Sequence, residues 1–251
     1  MDILVEKNWN IWKKDYSVEA RTFDRAKKKL PEMESAKQLR KLINKIYKKG
    51  MTILDVGCAA GHYYHSIIKV DKLIKFVGID ATKEYIDYAN QIFKKFDNAI
   101  FLKDDIFKIS KKHKKKYDIS YSCNLLLHLP SVEIPIKNLI NTTKKYCFIR
   151  TLVGKKTHLS KYLYEDKFNK NGLPLNFVYQ NTYSYNYLKQ IFKKNGARKI
   201  EFIDDKSQYN NINKEFQKYK KKQDAVTKVL KNGQQIAGSK VFEWKWIKIT
   251  L

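Results

Sequence analysis

Short apolar runs alternate with longer amphipathic stretches along most of the chain. Short apolar runs predict buried strands and apolar positions at helical spacing predict helices, so this alternation is typical of an α/β fold with a parallel sheet. Strands are predicted at 52–56, 75–79, 99–102, 117–122, 146–151, 199–203 and 241–250. Helices are predicted at 35–48, 62–69, 83–96, 131–144 and 185–195.

Three segments fall outside this alternation, although no linker divides the chain, and we therefore predict a single domain over residues 1–251. Residues 1–34 are predicted to form an N-terminal cap segment. Residues 154–184 and 205–240 are predicted to be lid or insert segments. The segment at 154–184 follows the fifth strand, and ligands of open α/β sheets bind at the carboxyl ends of the strands.

The most informative motif lies at residues 52–61, where an apolar strand leads into Asp55, Gly57 and Gly61. A strand, a tight glycine turn and a helix start bring backbone N–H groups close to a ligand. The G-x-x-x-G spacing differs from the G-x-G-x-x-G turn of dinucleotide-binding proteins. A carboxylate before the turn would repel a pyrophosphate but suits the ammonium group of an amino acid. The motif therefore predicts S-adenosylmethionine as the ligand.

Residues from about 50 to 250 resemble the class I S-adenosylmethionine-dependent methyltransferases. Residues 55–61 are similar to the acid-x-G-x-G-x-G motif of that family, with alanine in place of the middle glycine. The resemblance implies a Rossmann-like, seven-stranded, mostly parallel sheet with an antiparallel last strand and helices on both faces. It also implies that the carboxylate binds the methionine ammonium and that the turn contacts the cofactor through Asp55, Gly57, Cys58, Ala59 and Gly61.

Two further strand ends carry acids in the order that the resemblance leads us to expect. Asp80, next to Ala81, lies 19 residues after the glycine turn and is similar to the ribose-binding acid of the family. The alternative role for Asp80 is to cap the helix that follows. Asp105 and Ile106 resemble the element that binds the adenine amino group and packs on its ring, and Asp104 is predicted to be a solvated turn residue.

The segment at 122–130, after the fourth predicted strand, resembles an element of small-molecule methyltransferases. The resemblance places Asn124 beside the cofactor and His128 near the acceptor, where a histidine is suited to act as general base. The alternative for His128 is a partly buried histidine bonded to a backbone carbonyl. Because the chain lacks an Asn/Asp-Pro-Pro-Tyr/Phe motif and a paired-cysteine arrangement, an oxygen acceptor on a small molecule is favoured.

Several further residues are candidates for substrate binding. His62 follows the glycine turn and is predicted to face the methionine end of the cofactor, with helix capping as the alternative. Arg21 or Arg25 is predicted to reach the cofactor carboxylate or a substrate phosphate. His158, in the predicted lid, is an alternative base. The full set of substrate-binding candidates is His62, Tyr63, Arg21, Arg25 and His158.

The chain carries 52 basic and 25 acidic residues, a net charge of +27, which is the footprint expected of a nucleic-acid binder. Only five of the basic residues are arginine, the residue that binds phosphates in a bidentate manner. The dense run at 111–116 enters the fourth strand, so it is predicted to be a solvated loop at the amino edge of the sheet, opposite the cofactor. A small anionic acceptor is therefore preferred to a nucleic acid.

The three cysteines have no CxxC spacing, so a reduced, cytoplasmic protein without a metal site is predicted. No apolar run approaches the ~18 residues of a membrane span, and the first residues lack the order of a signal peptide. The combined prediction is an O-methyltransferase that converts S-adenosylmethionine to S-adenosylhomocysteine and acts on a sugar or a nucleotide-linked sugar, as in carbohydrate biosynthesis. The alternatives are an RNA methyltransferase and a non-catalytic module that binds S-adenosylmethionine.

Overall fold

The computed structural model describes residues 16–109, 113–163, 165–205, 228–229, 235–237 and 240–251. Its longer strands are β1 (Thr52–Val56), β2 (Lys75–Asp80), β3 (Ala99–Lys103), β4 (Tyr117–Cys123), β5 (Thr143–Gly154), β9 (Lys199–Asp204) and β13 (Trp244–Thr250). The shorter ones are β6 (Lys161–Leu163), β7 (Phe177–Tyr179), β8 (Tyr183–Ser184), β10 (Lys228–Val229), β11 (Gln235–Ala237) and β12 (Lys240–Phe242). The helices are α1 (Tyr16–Ala26), α2 (Glu34–Asn44), α3 (Tyr64–Ile67), α4 (Lys83–Phe93), α5 (Glu133–Thr142) and α6 (Tyr185–Lys194).

The main sheet has the strand order β3-β2-β1-β4-β5-β13-β9, and the two-residue strand β8 pairs with β5 beside this path. Strands β3, β2, β1, β4 and β5 are parallel to one another. Strand β13 lies between β5 and β9 and is antiparallel to both. The predicted fold class, a mostly parallel sheet whose last strand is antiparallel, is therefore confirmed.

Helices cover both faces of the sheet. Neighbouring residues of β1 therefore pack in different hydrophobic clusters, one on each face. Ile53 packs in a cluster with Leu39 of α2 and Phe93 of α4. Leu54 packs in a second cluster with residues of α5 and α6, among them Leu139. A strand that is buried on both faces gives a continuous apolar run, and this is why the pattern at 52–56 predicted it correctly.

The structure differs from the predicted elements mainly at their ends and in the terminal strand. The helix predicted at 62–69 is only Tyr64–Ile67. The strand predicted at 241–250 is divided, since β13 joins the main sheet and Lys240–Phe242 pairs with β11 in a separate three-stranded sheet. The alternation of side chains continues through both strands, so periodicity alone does not show which partner each one has.

The segments outside the predicted alternation contain structure of their own. Helix α1, in the predicted cap, packs on α4, where the ring of Phe23 stacks on Tyr88 at 3.7 Å between centroids. In the predicted lid, β6 and β7 form an antiparallel pair. Residues 1–15 of the cap and 206–227 of the second predicted insert lie outside the described residues.

The prediction of a solvated basic loop at 111–116 is wrong for one residue of the run, while residues 110–112 lie outside the described part. His113 is buried, and its Nδ1 lies 2.7 Å from the Tyr117 hydroxyl. Its Nε2 lies 3.4 Å from Asp104 Oδ2, so Asp104 is not the solvated turn residue that was predicted. The histidine joins this loop to the end of β3.

No helix in the described part of the chain is long and apolar enough to span a membrane. The same part contains no group of three or more histidine, cysteine or acidic side chains arranged to hold a metal ion.

Candidate cofactor and acceptor site

The turn between β1 and α3 is joined to the end of β2 by backbone hydrogen bonds. The N–H groups of Gly57 and Cys58 donate to the carbonyl of Ile79, at 2.8 and 3.0 Å. Cys58 is buried, and its burial raises the pKa of the thiol well above its ordinary value. The two strand ends therefore form one unit, and the turn lies where β1 and β2 end.

The turn is left-handed at the alanine that replaces the family's middle glycine. Ala59 has φ +47°, a region that costs an L-residue about 1–2 kcal/mol. Its N–H donates to Asp80 Oδ2 at 2.9 Å, and this contact holds the conformation. At Gly61 the constraint is packing as well as φ (+76°), because a Cβ atom there would lie 2.4 Å from a ring carbon of Phe101.

Asp55 is buried within β1, with only 2% of its surface exposed. Its Oδ2 accepts a hydrogen bond from the Tyr121 hydroxyl at 2.9 Å. Burial raises the pKa of Asp55 well above its ordinary value, a hydrogen bond from Tyr121 opposes this, and the charge of Asp80 adds to it. A buried carboxylate of this kind is stabilised by a cationic ligand.

Asp80, at the end of β2, connects the glycine turn with the start of α4. Its Oδ1 accepts the N–H of Thr82 at 2.9 Å, while its Oδ2 accepts that of Ala59. Burial raises the pKa of Asp80, although these backbone hydrogen bonds act in the opposite direction. Asp80 therefore bonds to the residue before α4 and also lies beside the turn, with Ala81 exposed next to it. The N-cap of α4 is Thr82, so Asp80 does not cap this helix as the alternative predicted.

Asp105 and Ile106 follow β3 in the predicted register. Asp105 Oδ1 accepts the N–H of Phe107 at 3.0 Å. The side chain of Ile106 is 6% exposed and packs in the core, and its carbonyl accepts a hydrogen bond from Asn138 Nδ2 at 2.8 Å. Asn138 lies in α5, 32 residues away, and its role in holding this loop was not predicted.

The residues present fit S-adenosylmethionine. Asp55, Asp80 and Asp105 belong to three adjacent parallel strands or to the residues directly after them, so they share the carboxyl edge of the sheet. Burial raises the pKa of both Asp55 and Asp80, so a ligand that donates hydrogen bonds to these carboxylates or brings positive charge would stabilise their ionised form. The cofactor has three groups that can donate hydrogen bonds: its amine, its ribose hydroxyls and its adenine amino group. They would fit Asp55, Asp80 and Asp105, respectively.

Asn124, directly after β4, has φ +58° and is held by β5. Its N–H donates to the carbonyl of Arg150 at 3.0 Å, and its Oδ1 accepts a hydrogen bond from Arg150 Nη1. A guanidinium can only donate, so this contact determines which way the amide is oriented. The amide of Asn124 therefore retains its Nδ2 donor for a ligand.

Arg150 is itself buried, with 1% of its surface exposed, and was not predicted as a site residue. Its Nε donates to Asp205 Oδ2 at 2.7 Å, and its Cζ lies 4.0 Å from the centroid of the Trp244 ring. The three residues come from β5, the residue after β9, and β13. No local pattern could have indicated this cluster, because it depends on the placement of β13 between β5 and β9.

His128 ends the 3-10 turn at Leu126–His128, and its Nδ1 lies 2.8 Å from the carbonyl of Tyr179 in β7. A carbonyl only accepts, so Nδ1 carries the proton and Nε2 is the ring nitrogen with the lone pair. Burial lowers the pKa of His128 to about 4, although the hydrogen bond to Tyr179 acts in the opposite direction. The backbone-bonded histidine of the alternative is observed, and in the tautomer that a general base requires.

The structure places the remaining candidates in different surroundings. His62 and Arg25 line one cavity. Tyr63 is buried in the core, with its hydroxyl 2.7 Å from Ser35 Oγ. Arg21 lies half-buried in α1, outside the residues that line this cavity, and His158 is exposed and bridges to Thr182 through its backbone. Of this group, His62 lines the cavity together with Arg25, and its ring also contacts that of Tyr63, at 5.1 Å between centroids.

Comparison with known proteins assigns the family. A family model described as a methyltransferase domain matches residues 47–234, which is more than half of the chain. Among curated protein sequences none matches the chain.

Solved structures share the fold at low sequence identity. The N-terminal domain of EvdMO1, solved in the presence of S-adenosylhomocysteine and D-fucose, has a TM-score of 0.58 at 10% identity, covering 88% of this chain and 85% of that one. Magnesium protoporphyrin IX methyltransferase from Synechocystis PCC 6803, with bound S-adenosylmethionine, has a TM-score of 0.51 at 13% identity, covering 94% and 84%. The CurJ carbon methyltransferase has a TM-score of 0.53 at 11% identity, covering 86% and 53%.

One of these proteins is described as a carbon methyltransferase and another as a magnesium protoporphyrin IX methyltransferase, so the fold alone does not define the substrate. The family match, the strand order and the acids at three strand ends agree on the cofactor. The chain belongs to the class I methyltransferases, and its cofactor is S-adenosylmethionine.

Proposed function

We propose that the protein transfers a methyl group from S-adenosylmethionine to a hydroxyl of a small anionic acceptor, such as a sugar or a nucleotide-linked sugar. The observation that carries this proposal is the state of His128. The ring follows β4, and its Nδ1 donates to the Tyr179 carbonyl at 2.8 Å, so Nε2 is the ring nitrogen that can accept a proton. A hydroxyl acceptor requires a general base to remove its proton. An already activated carbon or a neutral amine depends less on such a base.

The protein has two chemical tasks in this reaction. It aligns the acceptor with the methyl group of the cofactor, and it removes the proton of the acceptor hydroxyl. When bound, the cofactor supplies a methyl group on a sulfonium sulfur. Asp55, Asp80 and Asp105 hold the amine, the ribose and the adenine, while Asn124 donates from Nδ2 at the end of β4. His128 Nε2 accepts the hydroxyl proton as the acceptor oxygen is alkylated. Alignment of the reacting groups contributes about 7–11 kcal/mol in reactions of this kind.

The anionic, small-molecule character of the acceptor is supported by charge and by the segment over the site. A net charge of +27 favours anionic ligands. The carbonyl of Tyr179, in the predicted lid, accepts a hydrogen bond from His128 Nδ1, and this contact supports a role for the lid in acceptor binding. A structural neighbour was solved with D-fucose, which is consistent with a sugar. Three free cysteines fit a reduced compartment, and we place the protein in the cytoplasm.

The direct test is the transfer of radiolabelled methyl groups from S-adenosylmethionine into host extract, separated by size and by nuclease treatment. We expect label in the small, nuclease-resistant fraction. Fractionation of that label before and after phosphatase treatment then shows whether the acceptor carries a phosphate.

A second candidate function is RNA methylation, which the net charge of +27 favours. It predicts nuclease-sensitive label in the large fraction and RNA affinity that falls steeply with salt. A non-catalytic binding module predicts cofactor affinity without label in either fraction. The three outcomes are therefore separated by one labelling experiment and one affinity measurement.

Asp80→Ala is expected to weaken binding of S-adenosylhomocysteine by about 1–3 kcal/mol, because it removes hydrogen bonds to a charged acceptor. Asp87→Ala is a matched control, since Asp87 is an exposed carboxylate of the same region that pairs only with Lys83 in the described contacts. Calorimetry measures both. Equal affinity in wild type and Asp80→Ala would remove the ribose assignment.

Cofactor affinity is expected to decrease as the pH falls through the raised pKa of Asp55. Below that pKa the free protein holds a proton on the carboxyl, and binding of the ligand amine must release it. Each such proton weakens binding by up to about tenfold per pH unit. Calorimetry with S-adenosylhomocysteine in buffers of different ionisation enthalpy counts the proton. Asp55→Asn should bind less tightly and lose this release, and affinity that rises on acidification would contradict the assignment.

A further inference from the structure

A cavity of about 290 Å³ lies between the α1–α2 connection and α3. Its apolar lining residues come from the α1–α2 connection and from α2, and α3 contributes His65 and Ser66. It is also lined by His62, the residue directly after Gly61 of the cofactor turn. The charged and titratable residues that line it are Arg25, Lys28, Glu32, His62, His65 and Lys69.

Positive charge exceeds negative charge in this cavity. Arg25, Lys28 and Lys69 contribute cations, and Glu32 is the single acid among the lining residues. Glu32 is already engaged: its Oε2 accepts from Lys69 at 2.6 Å, and its Oε1 accepts from Arg40 at 2.9 Å and from Ser66 at 2.5 Å. The carboxylate therefore pairs with Lys69 and Arg40, and Arg25 and Lys28 are the other two cations among the lining residues.

The two histidines that line the cavity are kept neutral by these surroundings. His62 Nδ1 is buried and has no hydrogen-bond partner among the described residues. Burial lowers the pKa of His62 to about 3, and the charges of Arg25 and His65 act in the same direction. Burial also lowers the pKa of His65, against the hydrogen bond to the Ala26 carbonyl, and Lys28 and Lys69 lower it further. An anion is the ligand that would satisfy this group of donors.

We propose that this cavity binds the phosphate or carboxylate group of the acceptor, with Arg25 and Lys28 as charge partners and His62 as a donor. The inference rests on the proposed small-molecule methyltransferase function and adds the place where the acceptor's charge is held. An anchor next to the cofactor turn orients the rest of the acceptor toward the reacting end of the site.

The test uses the full chain loaded with S-adenosylhomocysteine and inorganic phosphate as the probe. The chain has five histidines, so histidine-selective NMR labelling resolves each ring, and a His62→Gln variant assigns the signal. Phosphate should shift the His62 signals in a saturable way and raise the pKa of His62 by one or more units. Chloride at equal ionic strength should do neither.

Variants show whether the named cations form the site. Arg25→Gln should weaken phosphate binding at least tenfold, and Lys28→Gln, at an exposed position, should weaken it three- to tenfold. Lys29→Gln is the matched control, since Lys29 is exposed in the same turn but does not line the cavity. Similar losses in all three variants would indicate general charge attraction and overturn the proposal.

Two further outcomes would also overturn it. The first is the absence of a saturable response at His62. The second is phosphate binding that occurs only without S-adenosylhomocysteine and is displaced by it, because the cavity would then hold the carboxylate of the cofactor. Cofactor affinity and methyl labelling of the small fraction are measured on the same samples. If they persist, the methyltransferase proposal stands and only the anion site fails.

Discussion

His128→Ala is expected to reduce turnover by about 10²–10⁴ and to leave the affinity for S-adenosylhomocysteine unchanged. The reason is that we propose Nε2 as the base, while the hydrogen bond of Nδ1 goes to the Tyr179 carbonyl and not to Asp55, Asp80 or Asp105. Turnover is measured with the acceptor identified by methyl labelling. Calorimetry with S-adenosylhomocysteine shows whether the variant keeps an intact cofactor site.

The control for this variant is His158→Ala, at the exposed histidine of the predicted lid. It should change turnover less than twofold. The pH profile gives a second readout: since burial lowers the pKa of His128 to about 4, the acidic limb due to this residue should lie near that value. A loss below tenfold in His128→Ala, together with a large loss in His158→Ala, would move the base into the lid.

Arg150→Met is expected to lower the free energy of unfolding by about 3–5 kcal/mol, because it leaves a buried carboxylate without its partner. The side chain of Arg150 is 1% exposed and that of Asp205 is 3% exposed, so water cannot replace the lost contact. Urea unfolding of the wild type and the variant measures the difference. The double variant with Asp205→Leu removes both charges and should recover most of the loss.

A matched control comes from an ion pair of the same kind at the surface. Lys83 and Asp87, in α4, are 63% and 58% exposed. Lys83→Met should therefore change the free energy of unfolding by less than about 1 kcal/mol. If Arg150→Met were equally mild, Arg150 would not be the residue that joins β5, β13 and the end of β9.

Features that depend on local sequence could be predicted. The strand at 52–56 was correct to the residue, because an apolar run that ends in an acid and a glycine turn has few alternative structures. Asp55, Asp80 and Asp105 were located by their positions at strand ends. The stop of α6 before Gly196, which has φ +90°, follows from the same kind of local rule.

Features that depend on pairing between distant segments could not be predicted from the sequence. Tyr121 meets Asp55 because β1 and β4 pair in one particular register, 66 residues apart in the chain. The division of the segment at 241–250 depends on which strands its two halves pair with. The burial of His113 inside a lysine-rich run depends on Asp104 and Tyr117 being close to it.

The sequence by itself therefore determined the fold class, the cofactor and the position of three acids at strand ends, because these follow from hydrophobic period and from local motifs. The tertiary structure alone decided the tautomer of His128, the orientation of the Asn124 amide and the cationic cavity at Arg25 and His62. Each of these depends on contacts with residues far away in the chain. Such contacts have no periodic signal, since their spacing is set by the register and order of the strands.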